Sequence, residues 1–213
     1  AEEMGINIFP GFAGNEVLYD ETGQTVTGIR TGDKGLGKDG EHKANFEPGI
    51  DLKAKVTVFG EGARGSLFKQ IEEKLNIAAA KMPQIYETGV KEVIQLPDNH
   101  YFATGKSNDI HFLGYPLGMN TPGGGFIYEM KDNKIAIGYL TGLGYEDALI
   151  DPYDMFTRFK RHPFVSGIIK GGKVIEQGAR TVSTGGYFSI PKLSANGAVF
   201  VGGSAAMHNS PAL

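Results

Sequence analysis

Ile50-Asp51-Leu52-Lys53-Ala54-Lys55-Val56-Thr57-Val58 alternates apolar and polar side chains residue by residue. A period of two sets one face of a strand on a core and the other in water. The run continues through Phe59 into Gly60-Glu61-Gly62-Ala63-Arg64-Gly65. Beyond it Leu67, Phe68, Ile71 and Leu75 fall on one face of a helix over 66–76. Strand, glycine turn and helix, in that order, is the context in which a backbone passes close to a nucleotide. Glu61 would put negative charge beside phosphates, which argues against a primary pyrophosphate site. The expectation is a secondary dinucleotide contact at Gly60, Glu61 and Gly62, set against a strand–turn–helix that holds no ligand.

Outward from this stretch, turn signals separate short strands at Ile6–Phe9, Glu16–Tyr19, Thr25–Thr31, Tyr86–Leu96, Ile110–Leu117, Gly125–Met130, Ile135–Leu140 and Lys173–Arg180. A second helix is predicted to start at Asp151-Pro152, a capping side chain followed by proline at the first helical position. It carries Met155, Phe156 and Phe159 inward and ends near His162-Pro163. A short helical turn with Phe164, Val165, Ile168 and Ile169 follows. The fold class is α+β, a mostly antiparallel sheet with few helices.

Composition narrows the function. The 213 residues carry 21 Lys and Arg against 24 Asp and Glu, a formal charge of -3, which argues against a broad nucleic-acid footprint. There is no cysteine, so disulfides, thiolate zinc sites, Cys nucleophiles and cysteine-held iron–sulfur clusters are excluded within this chain. The longest apolar stretch, Gly197 to Met207, is about half of what a spanning helix needs. The 32 glycines are spread among Val, Ile, Phe and Tyr, as in turn-rich β structure. The ends, Ala1 without a preceding methionine and Leu213 soon after a strand–glycine turn, read as those of a segment of something larger.

Two further glycine motifs miss their chemistry. Gly32-Asp-Lys-Gly-Leu-Gly37-Lys38 has P-loop spacing, but Asp39 stands where a hydroxyl should hold the metal. Gly35-Leu-Gly37-Lys-Asp-Gly40 spells a dinucleotide fingerprint, yet the polar stretch to Pro48 offers no helix N-terminus. Both read as an exposed hairpin loop. Val199 to Pro211, an apolar strand and then Gly202-Gly203-Ser204-Ala205-Ala206, suits either a turn against a flavin or the end of a buried strand. His42, His100, His111, His162 and His208 have no metal-ligand spacing. Arg158-Phe-Lys-Arg161 would suit anionic headgroups or, equally, an ordinary solvated helix face.

Taken together, several motifs carry a resemblance: Gly114-Tyr-Pro-Leu117, Pro122-Gly-Gly-Gly-Phe-Ile-Tyr128, His162-Pro163, Glu176-Gln-Gly-Ala-Arg180, Gly185-Gly-Tyr-Phe-Ser-Ile-Pro-Lys-Leu193 and Gly202-Gly-Ser204. Over nearly its whole length the chain resembles the middle part of the electron-transfer flavoprotein–ubiquinone oxidoreductase family. The resemblance implies the substrate domain, and part of the FAD domain, of a glutathione-reductase-type flavoprotein. It divides the chain into FAD-binding residues 1–70, a ubiquinone-binding domain over 71–190, and a return to the FAD domain at 191–213. It implies an enzyme that takes electrons from reduced electron-transfer flavoprotein and delivers them to ubiquinone through FAD. The family's four-iron four-sulfur cluster would then lie outside these residues. Attachment to a membrane surface, either the mitochondrial inner or the bacterial cytoplasmic membrane, is implied too. The family's quinone contacts fall on Gly123 and Gly124, with Phe126 and Tyr128 downstream and Tyr115 on the flank. Its flavin contacts fall on Gly202, Gly203, Ser204 and Asn209. The chain alone is expected to hold FAD weakly.

Glycines at 123 and 124 suit a quinone, which is flat, uncharged and an acceptor at two oxygens: bare backbone offers N–H donors and room for the ring. Phe112, Tyr115, Leu117, Met119, Phe126 and Ile127 are the expected apolar path for a polyprenyl tail. The plain reading of Thr121-Pro122-Gly123-Gly124-Gly125 is a hairpin turn. The alternatives are a related FAD-dependent reductase or hydroxylase of a prenyl lipid or small molecule, and a lipid-binding β domain with no redox role.

Overall fold

Strand β1 (Gly14–Tyr19) pairs antiparallel with β2 (Val26–Thr31) across a turn organised by Asp20. The Asp20 carboxylate accepts from the Thr22 hydroxyl at 2.8 Å and from the Gln24 and Thr25 amides at 3.1 and 3.2 Å. β3 (Lys34–Leu36) and β4 (His42–Glu47) form a hairpin that carries the two discarded glycine motifs in its exposed loop. β5 (Asp51–Lys53) joins β2, whereas β6 (Thr57–Phe59) belongs to another sheet. Helix α1 (Ser66–Leu75) buries Leu67 and Ile71, with Phe68 and Leu75 packed beside them. A computed structural model describes residues 2–79, 81–104, 109–118 and 120–208.

The next stretch builds a five-stranded antiparallel sheet from β7 (Tyr86–Gln95), β8 (Asp109–Leu113), β9 (Gly123–Met130), β10 (Lys134–Gly142) and β11 (Lys173–Ser183). The strand order is β11-β7-β10-β9-β8. Two helices, α2 (Pro152–Arg161) and α3 (Pro163–Ile168), come between β10 and β11 in the chain. The Asp151 carboxylate caps α2, accepting from the Tyr153 and Asp154 amides at 2.7 and 3.0 Å. Met155, Phe156 and Phe159 of α2, with Val165 and Ile168 of α3, bury against Ile127, Ile135, Ile137 and Tyr139 of the sheet. Each fully buried aromatic ring of this kind contributes about 2 to 3 kcal/mol. Finally β12 (Ser194–Ala195) and β13 (Ala198–Phe200) return, and β13 runs parallel to β6.

Two compact units result: 1–82 with 186–213, and 83–185. The functional boundaries expected from the sequence lie elsewhere, at 70/71 and 190/191. Residues 71–82 stay with the first unit because Ile71 and Ile77 belong to its core, and the Met82 amide donates to the Phe188 carbonyl at 3.0 Å.

Three strand expectations are corrected. Ile6–Phe9 forms no strand, and Ile6, Ile8 and Phe9 are exposed. The alternating run 50–58 is two strands, broken where the pairing partner changes: the Ala54 amide donates to Thr27, the Thr57 amide to Gly197. Its apolar stripe faces outward, with Ile50, Leu52, Val56 and Val58 at 50%, 39%, 55% and 63% exposure, while Phe59 turns in against Phe200. Third, β8 ends at Leu113, and Gly114 to Leu117 make a turn closed by the Leu117 amide on the Gly114 carbonyl.

Within the helix-covered layer, Glu92 of β7 is 3% exposed, and Lys160 of α2 reaches both its carboxylate oxygens at 2.7 and 2.8 Å. Removing the cation would strand a buried charge. Lys160→Met is expected to cost about 3 kcal/mol in urea unfolding, and the paired change Lys160→Met with Glu92→Leu to recover most of that loss. Equal stability of the single variant and the parent would show that the pair carries no such weight.

Candidate functional site

Two places collect the residues singled out by the sequence. The first lies where parallel neighbours β6 and β13 end side by side, the position at which open sheets present ligand-binding turns. Gly60 to Gly65 follows β6, and Gly202 to Ala206 follows β13. Gly62 and Gly202 both hold positive φ, 77° and 63°, and neither has an atom within 4 Å of where a Cβ would stand. The two turns touch each other: a Cβ on Gly203 would lie 3.1 Å from the Ala63 amide nitrogen, and the buried Ser204 hydroxyl donates to the Gly62 carbonyl at 3.2 Å. Gly60, Glu61, Gly62, Gly202, Gly203 and Ser204 are therefore one cluster. Asn209 lies outside the described residues.

Glu61 has a structural task. Its two carboxylate oxygens accept from the Leu67 and Phe68 amides at 3.2 and 2.7 Å, so it occupies the N-terminus of α1. The free N–H groups and positive end of the helix dipole that would attract a phosphate are thus already taken by an anion of the chain itself.

The second place is the face of the five-stranded sheet opposite α2 and α3. Alternation puts Gly124, Phe126 and Tyr128 of β9 on that face, and Gly125 and Ile127 on the helix face. Register then lines up one row across the sheet: Gly178, Lys91, Gly138, Phe126 and His111. The next row is Arg180, Gly89, Leu140, Gly124 and Leu113. Small residues under large ones hollow the surface into a trough of about 550 Å³. Its apolar lining includes Val93, Phe126, Leu140 and Val182, and its charged rim Lys91, Glu176 and Arg180. Phe126 lies over Gly138, and Tyr128 stacks beside Phe126 with centroids 5.8 Å apart and planes 15° apart. Lys91 Nζ donates to the Tyr128 phenol oxygen.

The glycine pair is part of a strand, not of the hairpin turn that the plain reading gives. Since the Gly142 amide donates to Pro122 O, bonded pairs alternate along β9 and β10, which turns the Gly124 amide toward Leu140. Its lack of a side chain has another cause: a Cβ there would stand 2.2 Å from the Phe112 carbonyl oxygen of β8. At 123 it would stand 2.5 Å from both a Leu117 methyl and the Leu140 carbonyl oxygen. Tyr115 is apart from Phe126, exposed on the β8–β9 connection with its ring 5.3 Å from His162. That connection is pinned by Tyr139, whose buried hydroxyl donates to the Gly114 carbonyl; burial pushes this phenol up to about 12.

The expected apolar path divides in the same way. Ile127 and Leu117 are core, and Phe112 packs edge-on against Phe159 at 4.9 Å, leaving Phe126 on the open face; Met119 lies outside the described residues. Sequence reasoning missed Gly89, Lys91, Leu140 and Arg180. Their signal was the spacing of two on β7, where a glycine and a lysine alternate with Val90 and Glu92. Among the described residues no group of three or more His, Asp or Glu could hold a metal ion, and no helix is long and apolar enough to cross a membrane.

The fold is shared with a geranylgeranyl bacteriochlorophyll reductase-like protein from Thermoplasma acidophilum, at a TM-score of 0.60 and 16% identity over 91% of this chain and 41% of that one. Residues 86–182 match the family described as ETF-QO, ubiquinone-binding. The mitochondrial electron transfer flavoprotein-ubiquinone oxidoreductase of Arabidopsis thaliana is 42% identical over 99% of this chain, which corresponds to 33% of that relative. That of Dictyostelium discoideum is likewise 42% identical, over 99% of this chain and 34% of its own length. The chain spans about a third of these relatives, and over its whole length it is homologous to the corresponding third of the electron transfer flavoprotein-ubiquinone oxidoreductases.

Proposed function

We propose that residues 71–190 bind ubiquinone in the trough on the open sheet face, and that residues 1–70 and 191–213 supply part of an FAD site. The whole would be an oxidoreductase that passes electrons from reduced electron-transfer flavoprotein to ubiquinone at a membrane surface. The observation that carries this is a coincidence of place: every residue lining the apolar trough, from β7, β9, β10 and β11, falls within the stretch that matches the ubiquinone-binding family. The trough suits the ligand. Its floor is apolar and low enough for a flat ring, and Lys91 and Arg180 set positive charge at the rim, where a reduced ring oxygen would gain negative charge.

The residues at the ends of β6 and β13 fit a dinucleotide at their backbone. Gly62 and Gly202 leave open space beside two turns that Ser204 ties together, and in this reading Gly60, Gly62, Gly202 and Gly203 hold part of FAD. Bound there, FAD would supply the electron-carrying group. Glu61 orders the first turn by capping α1, and the pyrophosphate would take its donors from elsewhere than that helix end. With no cysteine in the chain, the family's iron–sulfur cluster would be held by other residues. In this reading the functional division follows the expected one, FAD-binding over 1–70 and 191–213 with ubiquinone binding between.

Gly178 tests the trough, because nothing lies within 4 Å of a Cβ built there and its φ is not in the left-handed region. Gly178→Leu should therefore fold normally while filling the cavity, and should weaken binding of ubiquinone-1 by about tenfold in calorimetric titration. Unchanged affinity would place the quinone elsewhere. For the flavin side, Glu61→Ala should cost about 1 kcal/mol in thermal unfolding, with Glu61→Gln closer to the parent. A neutral Glu61→Ala would show that the cap does not order the turn.

A further inference from the structure

We infer that the trough takes an anionic amphiphile, a long-chain carboxylic acid whose ionised head group pairs with Arg180 and whose chain lies on the apolar floor. The inference goes beyond the quinone reading and does not depend on it, because it rests on the lining of the trough alone. A quinone ring is uncharged and leaves the charge of that lining unmatched. Two cations, Lys91 and Arg180, and one acid, Glu176, stand around Val93, Phe126, Leu140 and Val182. On a chain of formal charge -3, this local excess of positive charge has the opposite sign to the whole.

Sheet register decides where the charge stands. Arg180 of β11 lies opposite Gly89 of β7, and Lys91 of β7 lies opposite Gly178 of β11. Each long cation thus faces a bare backbone position, and the two are diagonal neighbours on one face, about 7 to 8 Å apart at the backbone. Neither takes part in an ion pair among the described residues. Lys91 donates to a neutral phenol, which leaves its charge in place. The planar fork of Arg180, whose geometry matches a carboxylate at two points, has no carboxylate of the chain to hold.

The same register separates a head end from a tail end. β11 is the outermost strand of its sheet, and its residues 173–180 are exposed. Arg180 therefore stands where a charged head group keeps contact with water. Inward from it, in the same row, come Gly89 and then Leu140, with Phe126 one row on. Gly89 has no side chain to bar the way from the guanidinium to the apolar floor. A small hydrated anion would gain nothing from that floor, whereas each methylene of an alkyl chain laid on it leaves water. Charge at the edge and apolar surface inside together fit a long-chain carboxylate.

Calorimetric titration of the 213-residue chain with decanoate, kept well below its micelle concentration, tests this. Decanoate should bind about tenfold more tightly than decanol, which has the same chain and a neutral head. Arg180→Gln should lose about tenfold for decanoate and leave decanol unchanged, a difference that misfolding would not produce. Gly178→Leu should weaken both ligands, and circular dichroism melts establish that each variant is folded. Equal affinity for decanoate and decanol overturns the inference, as does decanoate binding that is unaffected by Arg180→Gln or by Gly178→Leu. Decanoate should also displace ubiquinone-1. Binding as expected without displacement leaves the inference standing and removes the quinone from the trough. If decanoate fails to bind while Gly178→Leu weakens ubiquinone-1, the inference falls and the quinone site stands.

Discussion

The ring of Phe159 sits on the backbone of Gly125, so close that a Cβ on that residue would stand 2.4 Å from the ring edge. This contact locks the phase of the five-stranded sheet. With Gly125 under α2, Ile127 must face the helices, and Gly124, Phe126 and Tyr128 must face away. Register carries the same choice from strand to strand: Tyr139 opposite Gly125 goes inward, Gly138 opposite Phe126 goes outward, and Lys91 opposite Gly138 follows it. A one-residue slip would put the trough residues into the core and the core residues into the trough. The shape of the open face is therefore decided on the closed one.

The helix signals in the sequence were read correctly, whereas which face of a strand is buried was not always legible. The Asp151 cap, Pro152 and the apolar spacing of α2 are properties of ten neighbouring residues, and the helix lies where they put it. The run from Ile50 to Val58 has a period of two just as plainly, yet its face points outward. Which side of a strand is buried depends on the neighbour it joins, and this run changes neighbours midway, from β2 to the β13 side. The expected quinone path divides for a related reason. Phe112, Leu117, Phe126 and Ile127 are close in sequence, but alternation and the turn at Gly114 send them to different faces. Lys91 was not singled out, and Arg180 only as part of a motif, because they meet the trough from strands about ninety residues apart in the chain.

Glu61 shows how one residue can carry two opposite messages. Within a glycine-rich turn before a helix, a carboxylate looks like an error in a phosphate site. Folded, the same carboxylate satisfies the Leu67 and Phe68 amides and closes the helix end. The glycine motif and the acid are compatible once the ligand contact is made by turn backbone and the helix terminus is excluded from it. Gly65 has a corresponding reason to lack a side chain, since a Cβ there would stand 2.8 Å from the folded-back Glu61.

Strand β7 divides opposite tasks between adjacent residues. Glu92 points into the helix layer, where Lys160 neutralises it, and Lys91 points out over the trough. Were Glu92 on the same face, it would be the obvious partner for Lys91, and the open face would lose a charge. Alternation separates the two, and α2 supplies a different cation to the buried acid. A sheet with one face covered can in this way bury a paired charge and present an unpaired one from neighbouring positions. On the open face, that leaves the Lys91 ammonium with a neutral phenol as its partner, so its positive charge remains available to whatever lies in the trough.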